Sequence, residues 1–152
     1  MDQTEALEVC EARLRRFERH RSETALAVLT LLAAATHFTL ETWYHLTWGQ
    51  PLQALLVDYI CNALMLLGGM RSLIVRPGSA AGLLLAGWAY ALGFGWRSVF
   101  GRIERLESGV RAVNGEPTGT IVIVLLVALG IVAVVLLWAL ALAWRQSRAD
   151  AG

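Results

Sequence analysis

Five side chains capable of chemistry stand inside stretches that are otherwise almost wholly apolar. His37, Glu41 and His45 are spaced by four residues, which sets them along one face of a helix. Asp58 and Asn62 are likewise four apart, and Glu41 and Asp58 are the only charged residues between Thr24 and Met70. Carboxyls and imidazoles in that setting can bind a proton, a metal ion or a small organic cation. They can also pass a proton to a bound substrate.

The elements that must position them read as membrane spans. Hydrophobic residues make up 57% of the 152-residue chain and charged residues 16%, against roughly 45–50% and ~25% in soluble domains. Mean hydropathy is +0.55. The basic residues are all arginine, and 13 of them against 12 acids leave a net charge of +1. That excludes a disordered chain and a basic nucleic-acid-binding protein. The composition predicts an all-α integral membrane protein.

Charge is distributed unevenly. Residues 1–23 carry eleven charged side chains of mixed sign, whereas 77–96 and 117–144 carry none. A spanning helix needs about 20 apolar residues, so each of the last two stretches is one span. The 47 residues from 24 to 70 are enough for two, divided at Gly49-Gln50-Pro51 and flanked there by Trp43, Tyr44 and Trp48. The reading is an antiparallel four-helix transmembrane bundle with spans at about 24–47, 51–72, 78–98 and 118–144. An amphipathic leader helix (1–23) precedes it and a short tail (145–152) follows. Pro51, Pro77 and Pro117 stand at span starts, where the missing N–H costs least. The first apolar segment is too long for the core of a cleavable signal and is expected to stay as an anchor.

Nine arginines fall on the side of the termini and four (Arg97, Arg102, Arg105 and Arg111) on the other. The positive-inside rule then places both termini in the cytoplasm of a plasma (inner) membrane. Val99, Ile103, Leu106, Val110 and Val113 recur at helical spacing, so the 99–116 connection is either a loop or a continuation of span three as an amphipathic helix on the outer surface. In the leader, Leu7, Cys10, Leu14 and Phe17 line one helical side and Glu11 precedes Arg15 by four. This suits a helix packed on the bundle or on headgroups, or one that docks a partner. Cys10 and Cys61 are not expected to pair.

Folding spans one and two about the turn puts Glu41 and Asp58 at equal depth, and His37 opposite Asn62. Eight residues from the turn midpoint is roughly 12 Å of helix, in the outer third of the bilayer. The candidate ligand- or proton-binding residues are therefore Glu41, Asp58, His37, His45, Asn62, Arg97 and Tyr90. On span three, Gly82, Ala86, Gly93 and Arg97 form a stripe suited to close helix contact, and Arg97 could turn inward to neutralise one acid or outward to water. Trp43, Tyr44, Tyr59 and Trp88 are the aromatics that could line a pocket for a cation. If a metal is bound, its ligands are His37, Glu41 and Asp58. His37 and His45 lie about 12 Å apart on one helix and cannot be the two axial ligands of one haem. No cofactor is required by the sequence. Four short spans with Glu41 embedded in the first resemble the layout of the small multidrug transporters. The polar leader, the second acid and the 99–116 connection depart from that layout.

Three functions are compatible with these residues. The chain could bind a proton, a cation or a small cationic molecule at the outer-leaflet cluster. It could be a structural or accessory subunit in which the cluster only fixes helix packing. It could be a membrane enzyme acting on a lipid or isoprenoid by acid–base chemistry. No HExxH, P-loop, GxGxxG or nucleophile elbow is present to specify a reaction. The expected partners are the lipid bilayer and either a second copy of the chain or a membrane complex, with no nucleic acid.

Overall fold

Glycine and proline are absent from residues 3–48, and nothing interrupts the first helix. The computed structural model describes residues 3–75, 80–109 and 115–150, and the side chains of Phe17, 20–75, 80–109 and 115–148. Within those ranges the chain is all-helical: α1 (Gln3–Trp48), α2 (Leu52–Ile74), α3 (Ala81–Glu107) and α4 (Thr118–Asp150). The leader and the first apolar run, read from the sequence as two segments, are one continuous helix. At 46 residues, α1 is roughly 69 Å long, more than twice a ~30 Å hydrocarbon core. The leader positions Leu7, Cys10, Leu14, Glu11 and Arg15 lie outside the described side chains, as do Pro77, Val110, Arg111 and Val113.

Three helical segments are long and apolar enough to cross a membrane: His20–Trp48, Leu52–Ile74 and Thr118–Arg148. α3 is long enough at 27 residues, but its glycines, Trp88, Tyr90, Trp96 and Arg97 dilute its apolar character. It also runs nine residues past the expected end of span three, consistent with a helical start to the 99–116 connection. Val99, however, is fully buried rather than at a surface. α4 continues to Asp150, so the residues expected to form a tail after 144 are helical.

The turn between α1 and α2 is tightly specified. Gly49 takes φ of 70°, a conformation that suits a residue without a Cβ, and its N–H bonds the His45 carbonyl at 3.0 Å. His45 Nδ1–H donates to the Gln50 carbonyl at 2.8 Å. Pro51, with φ of −57°, then caps α2.

α1 packs along α2, α2 along α3 and α3 along α4, while α1 and α4 touch much less. The core contains Leu26, Ala34, Cys61, Met65, Leu84, Trp88, Val135 and Ala139. Trp88 Nε1 donates to Thr30 Oγ1 at 2.9 Å inside it, so the indole's polar edge is satisfied. α1 is tied to α4 by Trp138 Nε1 donating to Ser22 Oγ and by Gln146 Nε2 donating to Glu23 Oε2, both at 3.0 Å. Ser72 Oγ donates to the other Glu23 oxygen at 2.8 Å. Glu23, counted with the solvated leader in the sequence, is in fact buried where α1, α2 and α4 meet.

The close helix contacts run through glycines other than those of the expected stripe. A Cβ on Gly82 or Gly93 would meet nothing within 4 Å, and Ala86 and Arg97 are exposed with them. The α2–α3 crossing instead uses Gly68, whose Cβ would lie 3.1 Å from the Leu84 nitrogen, and Gly87, whose Cβ would lie 3.2 Å from Met65 Cγ. α4 leaves Ile123, Val127, Ile131, Val134 and Leu137 exposed, an apolar face. From these contacts Gly68→Ala is expected to destabilise by about 1–3 kcal/mol, because backbone must move to admit the methyl. Gly93→Ala is expected to be neutral or stabilising by up to ~1 kcal/mol. Melting curves of the two variants in one detergent check this, and equal losses would contradict the packing.

Candidate cation site

His37 and Glu41 occupy successive turns of one face of α1, and Asp58 faces them from α2. His37 Nε2 lies 3.7 Å from Glu41 Oε1 and 3.9 Å from Asp58 Oδ1. One donor atom from each of the three residues falls within 4.8 Å of the others. Both measured separations exceed hydrogen-bond length. The imidazole nitrogen thus stands at ion-pair distance from both carboxylates.

Their surroundings hold them there. His37 Nδ1 lies 3.0 Å from Asn62 Oδ1. An amide oxygen only accepts, so in this orientation Nδ1 carries the hydrogen and Nε2 turns toward the carboxylates. Gln50 Nε2 donates to Asp58 Oδ2 at 3.0 Å. Asp58 has no solvent exposure, and its Oδ1 has no hydrogen-bond partner. Gln50 Oε1 and Asn62 Nδ2 are also buried without a partner. An unsatisfied buried polar atom costs roughly 1–3 kcal/mol, more when it is charged. Three such atoms around one cluster mark a place where protein groups alone do not complete the bonding.

The cluster borders a cavity of about 520 Å³. Its walls are mainly apolar and include Leu29, Ala33, Met65, Trp88, Leu125 and Val132, with His37, Glu41, Tyr44, Gln50 and Arg102 supplying the polar part. The cavity lies in the space left where α1 and α4 stand apart. Tyr44 and Trp88 line it, as their aromatic character suggested. Trp43 is exposed, and Tyr59 instead stacks on Phe38 and bonds Thr42 Oγ1 at 2.9 Å.

Of the sequence candidates, His37, Glu41, Asp58 and Asn62 come together. His45 serves the turn, half-buried. Tyr90 packs against the core. Arg97 is exposed and does not line the cavity, so of its two readings the outward one holds and it does not neutralise an acid. The arginine at the cavity is Arg102. Its Nε donates to Glu116 Oε1 at 3.2 Å and its NH2 group to the Tyr44 hydroxyl at 3.1 Å. Burial works against the Arg102 charge, but the Tyr44 and Glu116 contacts outweigh it and hold its pKa above the ordinary arginine value. Glu116 matches that charge, so Glu41 and Asp58 do not have it to themselves. Sequence reasoning also missed Gln50. A glutamine in a turn carries no signal of burial, whereas Arg102 lies seven residues after Gly95, on the face that packs inward. Comparisons with protein-family models, characterised proteins and solved structures give no match.

Arg102→Ala would strip the half-buried Glu116 and Tyr44 of their shared partner. It is expected to cost about 1–3 kcal/mol, whereas Arg97→Ala is expected to stay within about 0.5 kcal/mol of the parent. Thermal or denaturant unfolding in detergent checks the pair, and a larger loss at Arg97 would contradict the assignment.

Proposed function

We propose that the chain is a multi-pass protein of the plasma (inner) membrane that binds a cation at His37, Glu41 and Asp58. In this reading it crosses four times, with α3 as the remaining span and both termini cytoplasmic. The arginine asymmetry supports the orientation. The burial of Leu84, Gly87 and Trp88 supports α3 as a member of the bundle, since a helix enclosed by neighbours needs less apolar surface of its own. Ser108→Cys, at the end of α3, is expected to react with an impermeant thiol reagent in intact spheroplasts. Cys10 is expected to react only after the membrane is opened. The reverse pattern would overturn the orientation.

The observation that carries the function is Asp58 Oδ1, buried without a hydrogen bond, beside a second carboxylate and 3.9 Å from an imidazole nitrogen. Charges inside a membrane protein are costly and are kept where something balances them. A bound cation supplies the missing charge and the missing contacts together. The His37–Asn62 and Gln50–Asp58 bonds also fasten α1 to α2, and that favours the second reading, a subunit whose cluster only fixes packing. Melting curves at one pH, with sodium, magnesium, calcium, zinc and a quaternary ammonium ion, distinguish the two. Ligand bound at 100 times its Kd adds about 2.7 kcal/mol to stability, so at least one cation is expected to raise the Tm by several degrees. Glu41→Gln, a shape-preserving change at the cavity wall, is expected to fold and to lose that rise. A wild type indifferent to every cation would leave the packing role.

A further inference from the structure

We infer that the ion is a divalent first-row transition metal, held by His37 Nε2, one Glu41 oxygen and Asp58 Oδ1, with a further coordination position toward the cavity. This rests on the cation reading above and adds the identity of the ion.

Four observations support it. First, the donor set of one imidazole nitrogen and two carboxylate oxygens suits zinc and its neighbours better than sodium or calcium, which favour all-oxygen shells. Second, the spacing fits a shared ion. Two ligands ~2.0–2.2 Å from a tetrahedral centre stand roughly 3.3–3.6 Å apart, and His37 Nε2 is 3.7 Å and 3.9 Å from the two carboxylate oxygens. Those two gaps are too long for hydrogen bonds and close within a few tenths of an ångström around a metal, and the carboxylate oxygens lie within 4.8 Å of each other. Third, the outer contact of the histidine is in place. With Nδ1–H given to Asn62 Oδ1 at 3.0 Å, Nε2 faces the two carboxylates and is the nitrogen that can give a lone pair to a metal. Metal-ligating histidines characteristically give their second N–H to such an acceptor. Fourth, the charge closes. Two carboxylates and a neutral imidazole sum to minus two, so a divalent ion leaves a neutral assembly, whereas a monovalent ion leaves a net charge among apolar walls.

Asp58 makes this more than an acidic cluster. It has no solvent exposure, and its unpartnered oxygen is the one nearest His37. His37 and Glu41 both line the cavity, so an ion between them would have its remaining position on the cavity side, open to water or a ligand. Asn62 is a positioning residue in this scheme.

The test uses the full chain in detergent, purified through a histidine-free tag, stripped with chelator and titrated with cobalt(II). One cobalt per chain is expected, with the visible d–d absorption of a low-coordinate nitrogen–oxygen site, bleached by equimolar zinc. No thiolate-to-cobalt charge-transfer band is expected, because Cys61 is outside the ligand set. Glu41→Gln is expected to lower cobalt affinity at least tenfold, and Asn62→Ala by 10–100-fold. Asn62→Asp, which still accepts from Nδ1, is expected to retain binding. A charge-transfer band lost in Cys61→Ser would overturn the assignment. So would unchanged affinity in Glu41→Gln. If neither cobalt nor zinc binds but another cation still raises the Tm in a Glu41-dependent way, the transition-metal inference falls and the cation reading stands. If no cation acts, both fall.

Discussion

A carboxylate without solvent access, Asp58, imposes the requirement that the surrounding structure answers. Placing one ionised group in an apolar helix bundle costs several kcal/mol unless charge and hydrogen bonds compensate it. Gln50 reaches back from the α1–α2 turn to bond one oxygen. His37 and Glu41 approach the other from α1, the His37 ring nitrogen to 3.9 Å. The turn is built to permit this. Gly49 reverses the chain with a positive φ, the His45 ring holds the Gln50 carbonyl, and Pro51 starts α2 at once. The two helices are thereby kept in a register that puts position 37 beside 62 and position 41 near 58.

The rest of the bundle gives that pair its environment. α2 joins α3 through the close approaches at Gly68 and Gly87, and α3 carries α4 on its other side. α1 and α4 are drawn together through Ser22–Trp138 and Glu23–Gln146, yet separate along the stretch that contains His37 and Glu41. The space between them is the cavity. Arg102, locked to Glu116 and Tyr44, lies at its polar part without being released to the two acids. The result is a largely apolar cavity at whose edge His37, Glu41 and Asp58 converge.

Much of this was legible in the residues alone, and the reasons differ by element. The four helices were readable because charge is excluded from long apolar runs and turn residues divide them. The meeting of α1 and α2 followed from a short turn and a rise of ~1.5 Å per residue, which fixes depth on two antiparallel helices. Rotation of α3 about its axis was not readable. Glycines stand on two of its faces, and the stripe through Gly82, Gly93 and Arg97 faces outward while Gly87 and Gly95 pack inward. That error in phase is why Arg97 stood where Arg102 belongs. Glu23 was hidden for a different reason. It closes a run of mixed charge that resembles a solvated leader, and only the uninterrupted helix carries it into the contact with Ser72 and Gln146.

An ion-sized gap separates the His37 imidazole from the Glu41 and Asp58 carboxylates. Anomalous diffraction at the cobalt edge, from crystals of the full chain grown with cobalt(II), tests it most directly. The account predicts one strong peak within ~2.0–2.3 Å of His37 Nε2 and of an oxygen from each carboxylate. A map with no peak there, in which the three side chains close onto one another by hydrogen bonds, would contradict it.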